Sequence, residues 1–380
     1  MTLKKELEVL RGEPIKVFTG NPMDIPCIET SDPEKLCTHP VVSVSMITYN
    51  HEPYIRQAIE GVMMQKTDFE FELIIGEDCS TDKTREICFE YQKKYPDKIR
   101  VLWWHENVSG KGGNGRRSRA HCRGEFVALC EGDDYWIDPH KLQKQVNVFR
   151  ENPSVELCFA RAKIMTEGKG DAHLWDPDNK IPHGVIKGRD FFKWHSFGRF
   201  VDAPGGAIEF LMTASTMSRR STYCELTRKH PIFNWRLRLS DTTLWSGLST
   251  CGDVYYLPDV VSVYRLNPTG ICRRNPFGVC VDTQIIRLYW LKALNLCDSF
   301  PIQVVYGRLF VFRLRYIMRT NPKLCRNEAK KIRAIPEFNF VRGGFRWFIV
   351  ALSQPFIPNW VMRVSIEFLS GLRAWRRGSV

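Results

Sequence analysis

Between residues 41 and 150 the apolar positions alternate between dense short runs and repeats at i, i+3 and i+4. The first texture predicts strands and the second helices. Val41 to Thr48 is β-rich and nearly continuous, the pattern of a strand buried on both faces. Pro53 then stands where a helix opens, and Ile55, Ala58, Ile59, Val62 and Met63 recur at helical spacing. Phe71 to Gly76 predicts a second strand. Ser80-Thr81-Asp82 predicts an N-cap for a helix that runs toward Tyr95 and stops at Pro96. Ile99 to Trp104 predicts a third strand. A Gly- and Arg-rich stretch from Ser109 to Gly115 leads into a short helix, and the strand Glu125 to Cys130 follows. A further helix covers Pro139 to Arg150.

Beyond residue 150 the pattern weakens. Residues 162–206 read as loop-rich. Ala214 to Arg219 predicts a strand followed by a helix, and Asp241 to Thr250 another helix. Val254 to Leu257 and Val260 to Arg265 read as two strands of a hairpin around Pro258-Asp259. After Cys280 the pattern is helical to the end. Residues 1–40 carry five prolines and little periodicity, and predict an extended lead-in. Alternating strands and helices imply an α/β fold with a mostly parallel sheet and right-handed crossovers. The organisation expected is a lead-in (1–40), an α/β domain (41–275, divided near 150) and a helical C-terminal extension (276–380).

The charge changes this picture at one end. The chain of 380 residues has 55 Lys+Arg against 42 Asp+Glu, a net charge of +13. Residues 41–280 hold 33 basic and 30 acidic groups, whereas residues 281–380 hold 17 and 5. The basic excess therefore belongs to the last hundred residues. It suits nucleic acid, an anionic membrane surface or phosphorylated ligands. No nucleic-acid-binding module is present in the sequence, so no nucleic acid partner is expected. No apolar run approaches ~18 residues, so no conventional membrane span is expected. The N-terminus, MTLKKELEVLRGEP, is charged and lacks the apolar centre of a secretory signal, which predicts a cytoplasmic chain. The 13 cysteines form no Cys-x-x-Cys pair. They read as reduced, buried thiols rather than a zinc site.

Candidate chemistry gathers at the strand ends. Ligands of such sheets sit beyond the carboxyl ends of the strands. Three polar clusters lie there: Thr48-Tyr49-Asn50, Glu77-Asp78 and Asp133-Asp134. Adjacent carboxylates repel, so a cation commonly stabilises one of them. Hard oxygen ligands suit Mg²⁺ or Mn²⁺, which often share a site with phosphate oxygens. The rival reading is that Asp133-Asp134 caps the next helix.

Three stretches in this order resemble the inverting family 2 glycosyltransferases with the GT-A fold. They are Val42 to Asn50, Glu77-Asp78-Cys79-Ser80-Thr81-Asp82 and Glu131-Gly132-Asp133-Asp134-Tyr135-Trp136. Lys141-Leu142-Gln143-Lys144-Gln145 fits the bacterial cell-surface polysaccharide type, and the resemblance fades toward residue 270. It implies a donor-binding half (41–150) and an acceptor half (151–275). Thr48, Tyr49 and Asn50 would border the nucleoside, with Tyr49 near the base. Glu77 and Asp78 stand at the neighbouring strand end, with Asp78 accepting a hydrogen bond from the base. Asp133 and Asp134 resemble the Asp-x-Asp element, with Asp134 ligating Mn²⁺ or Mg²⁺ and Asp133 near the ribose or sugar.

Asp241 opens a helix and corresponds to the catalytic base; helix capping is a compatible role. Asp202 and Glu209 are weaker rivals for that role. Tyr264-Arg265 with Asn267 and Gly270 resembles a segment near the diphosphate. A histidine often stands there where this chain has Asn267. Arg265, Arg273 and Arg274 are the candidate phosphate contacts, and Pro268 to Gly278 is a candidate lid.

The function implied is metal-dependent, inverting transfer of a sugar from a nucleotide-sugar, a UDP-sugar, to a lipid-linked or glycan acceptor in polysaccharide biosynthesis. One rival is a degenerate glycosyltransferase acting as a scaffold. Another is a sugar nucleotidyltransferase, which would need a Gly-rich, basic phosphate loop where Tyr49 to Pro53 stands. In the C-terminal region Arg308, Arg315 and Arg319 share a helical face, and residues 345–377 mix aromatic and basic side chains. That pattern suits peripheral attachment to the inner face of a cell membrane. Packing on the catalytic region, or a homo-oligomer contact, is the equal rival.

Overall fold

The computed structural model describes residues 2–18, 26–108, 114–166, 172–175, 181–197, 211–237, 241–267, 275–297 and scattered positions between 302 and 316. The chain divides into two units: Ile15–Arg274, and Met1–Pro14 with Asn275–Val380.

The larger unit is built on one mixed sheet. After the short edge strand β1 (Ile28–Thr30), β2 (Val42–Thr48), β3 (Phe71–Glu77), β4 (Ile99–Trp103) and β5 (Phe126–Leu129) form its parallel block. Helices α2 (Ile55–Met63), α3 (Thr84–Lys94) and α4 (Asn114–Ala120) make the crossovers. Here the α/β fold class expected from the sequence is the one found. β2 is buried although every second residue at its start is a serine. Ser43 is satisfied by donating to Glu72 Oε1 at 2.6 Å, so the strand can pack on both faces. β2 and β3 pair from Val42–Phe71 to Thr48–Glu77, which puts their polar ends side by side.

The second half of the sheet runs β5-β10-β7-β11-β6, with β6 (Tyr135–Trp136), β7 (Val155–Thr166), β10 (Met217–Arg219) and β11 (Asp253–Leu266). β8 (Ala172–Leu174) extends it from β7 and β9 (Gly184–Ile186) from β11. Helix α5 (Lys141–Glu151) precedes β7. α6 (Gly188–Phe197), α7 (Arg220–Lys229) and α8 (Asp241–Cys251) complete the unit.

Two expectations are corrected here. Val254 to Arg265 is not a hairpin but one strand, parallel to β7 throughout. Between Leu257 and Val260 its register jumps while β7 advances only from Ala160 to Arg161. Pro258 offers no N–H to the ladder, so the extra residues are absorbed as a bulge instead of reversing the chain. Ala214 to Arg219 is a strand only from Met217; Thr213–Ser215 form a 3₁₀ turn.

The smaller unit corrects the lead-in. Leu3–Arg11 is a helix, α1, capped by Thr2 and closed by Gly12 at φ 85°. Leu7 and Leu10 are buried along one side of it. Helix α9 (Pro276–Ala293) opens on Asn275, whose side chain accepts the Gly278 amide at 3.0 Å. The buried carboxylate of Asp282 accepts two hydrogen bonds from Arg11, at 2.6 and 3.2 Å. Arg313 donates to the Val9 and Leu10 carbonyls at 2.8 and 2.9 Å, satisfying the open end of α1. Arg308 is buried rather than presented on an exposed basic face. Arg315, Arg319 and residues 345–377 lie outside the described residues. Among the described residues, no helix is long and apolar enough to cross a membrane.

Candidate active site

The loops that leave β2 and β3 are stitched together. Thr48 is buried at the strand end, and its carbonyl accepts the Asp78 amide at 3.1 Å. Its Oγ1 is sealed from solvent and finds no partner among the described residues. Asn50 adopts φ 54°, which asparagine tolerates better than most residues. Its Oδ1 accepts the Thr81 amide at 2.8 Å, and its amide donates to Ser80 Oγ at 3.0 Å. The amides of His51 and Glu52 donate to Thr84 and Asp82. The loop is thereby fixed while the Tyr49 side chain stays 42% exposed, an open aromatic face at the end of the sheet.

Glu77 and Asp78 divide their tasks. Glu77 is wholly buried; it accepts the Ser80 amide and pairs with Arg85, which in turn donates to the Trp104 carbonyl. Its carboxylate holds the loop and is not offered to a ligand. Asp78 is also buried, and its Oδ1 accepts the Val108 amide at 2.6 Å.

The end of β5 carries the acids. Gly132 is required by close approach: a Cβ there would lie 2.7 Å from Thr48 Oγ1 and 2.9 Å from His51 Nδ1. Asp134 is 1% exposed and its Oδ1 accepts the Arg265 amide at 2.8 Å. The Arg265 guanidinium donates to the Asp133 carbonyl at 2.7 Å and to Gln57, and lies 4.3 Å from the Tyr135 ring. Arg265 and Asp134 together bind the acidic turn to β11. Asp133 instead keeps its side chain toward the surface, with His51 Nε2 at 3.8 Å and Asn267 Nδ2 at 3.5 Å from Oδ2.

Glu131 is the residue that the sequence motif contained without marking it. Its Oε2 is sealed from solvent and has no hydrogen-bond partner among the described residues. Burial, then the charges of Asp133 and Asp241, push its carboxyl up to about 8. Burial, Asp133 and Glu131 likewise hold Asp134 well above the ordinary carboxylate range. Asp241, at the start of α8, is raised by burial, against its hydrogen bonds from the Thr242 amide and the Thr213 hydroxyl. Arg119 of α4 draws both Glu131 and Asp241 downward. His51 is lowered by burial, against the pull of Asp133 and Asp82.

Glu131, Asp133 and Asp241 thus share one electrostatic neighbourhood, beside the loops of Thr48 to Asn50 and Asp78. The signal for Glu131 lay in the spacing: an Asp-x-Asp element places its carboxylates two apart, as Glu131 and Asp133 are. Among the described residues, no three His, Cys, Asp or Glu side chains are placed so that together they could hold a metal ion. Asp202, Glu209, Gly270, Arg273, Arg274 and the lid residues 268–274 lie outside the described residues.

Residues 43–211 match the glycosyl transferase family 2 profile. That stretch covers the parallel block and the acidic turn. An uncharacterized protein of Mycobacterium tuberculosis (strain ATCC 25618 / H37Rv) is 33% identical over 231 residues, 60% of each chain. The chain therefore spans about three fifths of that relative's length. An uncharacterized glycosyltransferase of Methanocaldococcus jannaschii is 32% identical over 158 residues, 41% of this chain and 52% of that one. The crystal structure of S. aureus TarS 1–349 in complex with UDP superposes with a TM-score of 0.49 at 17% identity, covering 80% of this chain and 91% of that chain.

Proposed function

We propose that the chain is an inverting glycosyltransferase that moves a sugar from a nucleotide-sugar to an acceptor hydroxyl. The observation that carries this reading is the convergence of Glu131, Asp133 and Asp241 beside the fixed loops at the ends of β2 and β3. None of the three makes an ion pair with Lys or Arg among the described residues, and burial raises two of them. Two of these carboxylates, Glu131 and Asp133, fit a divalent cation whose other ligands are diphosphate oxygens and water. Glu131 and Asp133 would hold Mn²⁺ or Mg²⁺, with Asp134 as the residue that braces the turn. When bound, the cation would offset the negative charge of the leaving diphosphate.

The chain's own residues account for the remaining roles. Tyr49 offers a face to the base, and buried Asp78 stands next to it. Asp241 accepts the proton of the acceptor hydroxyl as its oxygen bonds to the anomeric carbon. The bond from that carbon to the donor phosphate oxygen breaks, and its electron pair leaves with the nucleoside diphosphate. The elevated affinity of Asp241 for protons suits it to this task. A UDP-sugar is the first donor to test, with a lipid-linked or glycan hydroxyl as acceptor. The Lys141–Gln145 stretch supports a polysaccharide setting, and the charge of residues 281–380 supports docking on an anionic membrane surface.

The test is donor turnover by the intact chain with Mn²⁺ or Mg²⁺, for wild type and Asp241→Asn. Transfer should fall by roughly 100-fold or more while UDP binding persists. An Asp241→Asn variant that transfers at the wild-type rate would refute the assignment. Unchanged turnover in EDTA would remove the cation from it.

A further inference from the structure

Helix α4 delivers cations that the transfer scheme above does not use. It is seated on β3 at Gly76, where an added Cβ would collide with Asn114 and Ser118, and Asn114 Nδ2 donates to the Gly76 carbonyl at 2.9 Å. Its register is thereby fixed. Arg116 and Arg119 are three residues apart, so they share a face. Both are partly buried. Arg119 Nε donates to the Tyr223 hydroxyl at 3.3 Å, with the guanidinium carbon 5.6 Å from that ring. Arg116 Nη2 donates to Asn234 Oδ1 at 2.6 Å and lies 5.3 Å from the Phe18 ring. Neither forms an ion pair with a carboxylate among the described residues. The terminal amino groups of Arg119 make no hydrogen bond there.

The two guanidinium groups lie close enough to oppose each other's charge, and both are partly buried with no carboxylate ion pair among the described residues. An anion there could be held by both, because the planar NH₂ edges match phosphate or carboxylate oxygens. The position tells which anion. Arg119 acts electrostatically on Glu131 and Asp241, whereas the charge acting on Asp134 is that of Arg265. The reach of Arg119 to Asp241 puts the pair beside the candidate base, which an acceptor must approach; its reach to Glu131 makes the donor the rival occupant, which the UDP arm of the experiment tests.

We propose that Arg116 and Arg119, framed by Tyr223 and Asn234, form a subsite for an anionic group, a phosphate or a carboxylate, carried by the acceptor. This rests on the transferase reading. It adds that the acceptor is acidic and is held by α4 independently of the donor.

The probe is inorganic phosphate, followed by ³¹P line broadening on the intact chain with and without saturating UDP. Saturable phosphate binding that survives UDP, and weakens about tenfold or more in Arg119→Gln, is the expected result. Arg116→Gln serves as the second variant, with its thermal transition checked against wild type. Farnesyl phosphate against farnesol, and glucuronate against glucose, then separate a lipid phosphate from a sugar acid. Phosphate that UDP displaces would assign the arginines to the donor and overturn the proposal. So would binding that both variants retain, or no saturable binding at all. UDP binding by the same samples reports on the transferase reading separately: if UDP does not bind to wild type, that reading fails whatever phosphate does.

Discussion

Replacing Glu131 by Gln should stabilise the protein, and increasingly so as the pH rises. In the folded chain the Glu131 carboxyl is pushed from 4.5 to about 8, by burial first and by Asp133 and Asp241 next. Between those two values the unfolded chain has released its proton while the native chain still holds it. The native state therefore binds more protons, and stability must fall as pH rises through that window. Every tenfold gain in proton affinity is worth about 1.4 kcal/mol, which sets a ceiling on the order of 5 kcal/mol. The residue is partly exposed and titrates together with the neighbouring acids, so a realistic effect is roughly 2 kcal/mol at pH 8. Gln keeps the shape and removes the charge. Urea unfolding at pH 5 and pH 8, in buffer free of metal and nucleotide, measures the difference. The gain from Glu131→Gln should be small at pH 5 and near its maximum at pH 8. If the variant is no more stable than wild type at pH 8, or if the gain is the same at both pH values, Glu131 is not a strained buried acid. The same variant should lose donor turnover, because stability and cation binding make opposite demands on this carboxylate.

Other changes test other contacts. Arg11→Met removes two charge-assisted hydrogen bonds from the buried Asp282 carboxylate and should destabilise the smaller unit by about 2–3 kcal/mol. The double variant Arg11→Met with Asp282→Leu should recover most of that in thermal denaturation. Gly132→Ala drives a methyl group into Thr48 and His51 and should cost about 1–3 kcal/mol. Donor turnover should drop with it, since both neighbours border the acidic turn; normal turnover in a normally stable variant would mean the contact yields.

The parallel block was legible because its signals are local. Val42 to Thr48, Phe71 to Glu77 and Phe126 to Leu129 are short, dense and bounded by turn residues, and the structure places strands there. The second half was legible only in part: the helices after Arg219 and from Asp241 are where the sequence puts them, whereas the stretch read as loop-rich holds the end of β7, β8, β9 and α6. Pro258-Asp259 has the composition of a turn, and only pairing with β7 shows it to be a bulge. Helix α1 did carry a signal, Leu3, Leu7 and Leu10 at i, i+4 and i+7, but it is one short seam in a charged segment, overshadowed by the five prolines of residues 1–40. Its burial depends on residues more than 270 positions away, as the Arg11–Asp282 pair shows.

The sequence by itself placed Thr48, Asp78 and the Asp133-Asp134 pair at or just after strand ends, because strand position and length follow from apolar periodicity; that these strands are neighbours is a matter of the sheet's order. It marked Asp241 as the start of a helix. Which carboxylates are braced and which are left without a partner was decided by the tertiary structure alone. Asp134 is turned inward by the Arg265 amide, 131 residues further along the chain. Glu131 is left with a buried oxygen that has no hydrogen-bond partner among the described residues, near Asp133 and under the influence of Asp241. Burial and long-range hydrogen bonds, not the spacing of acids, set the charge state of each.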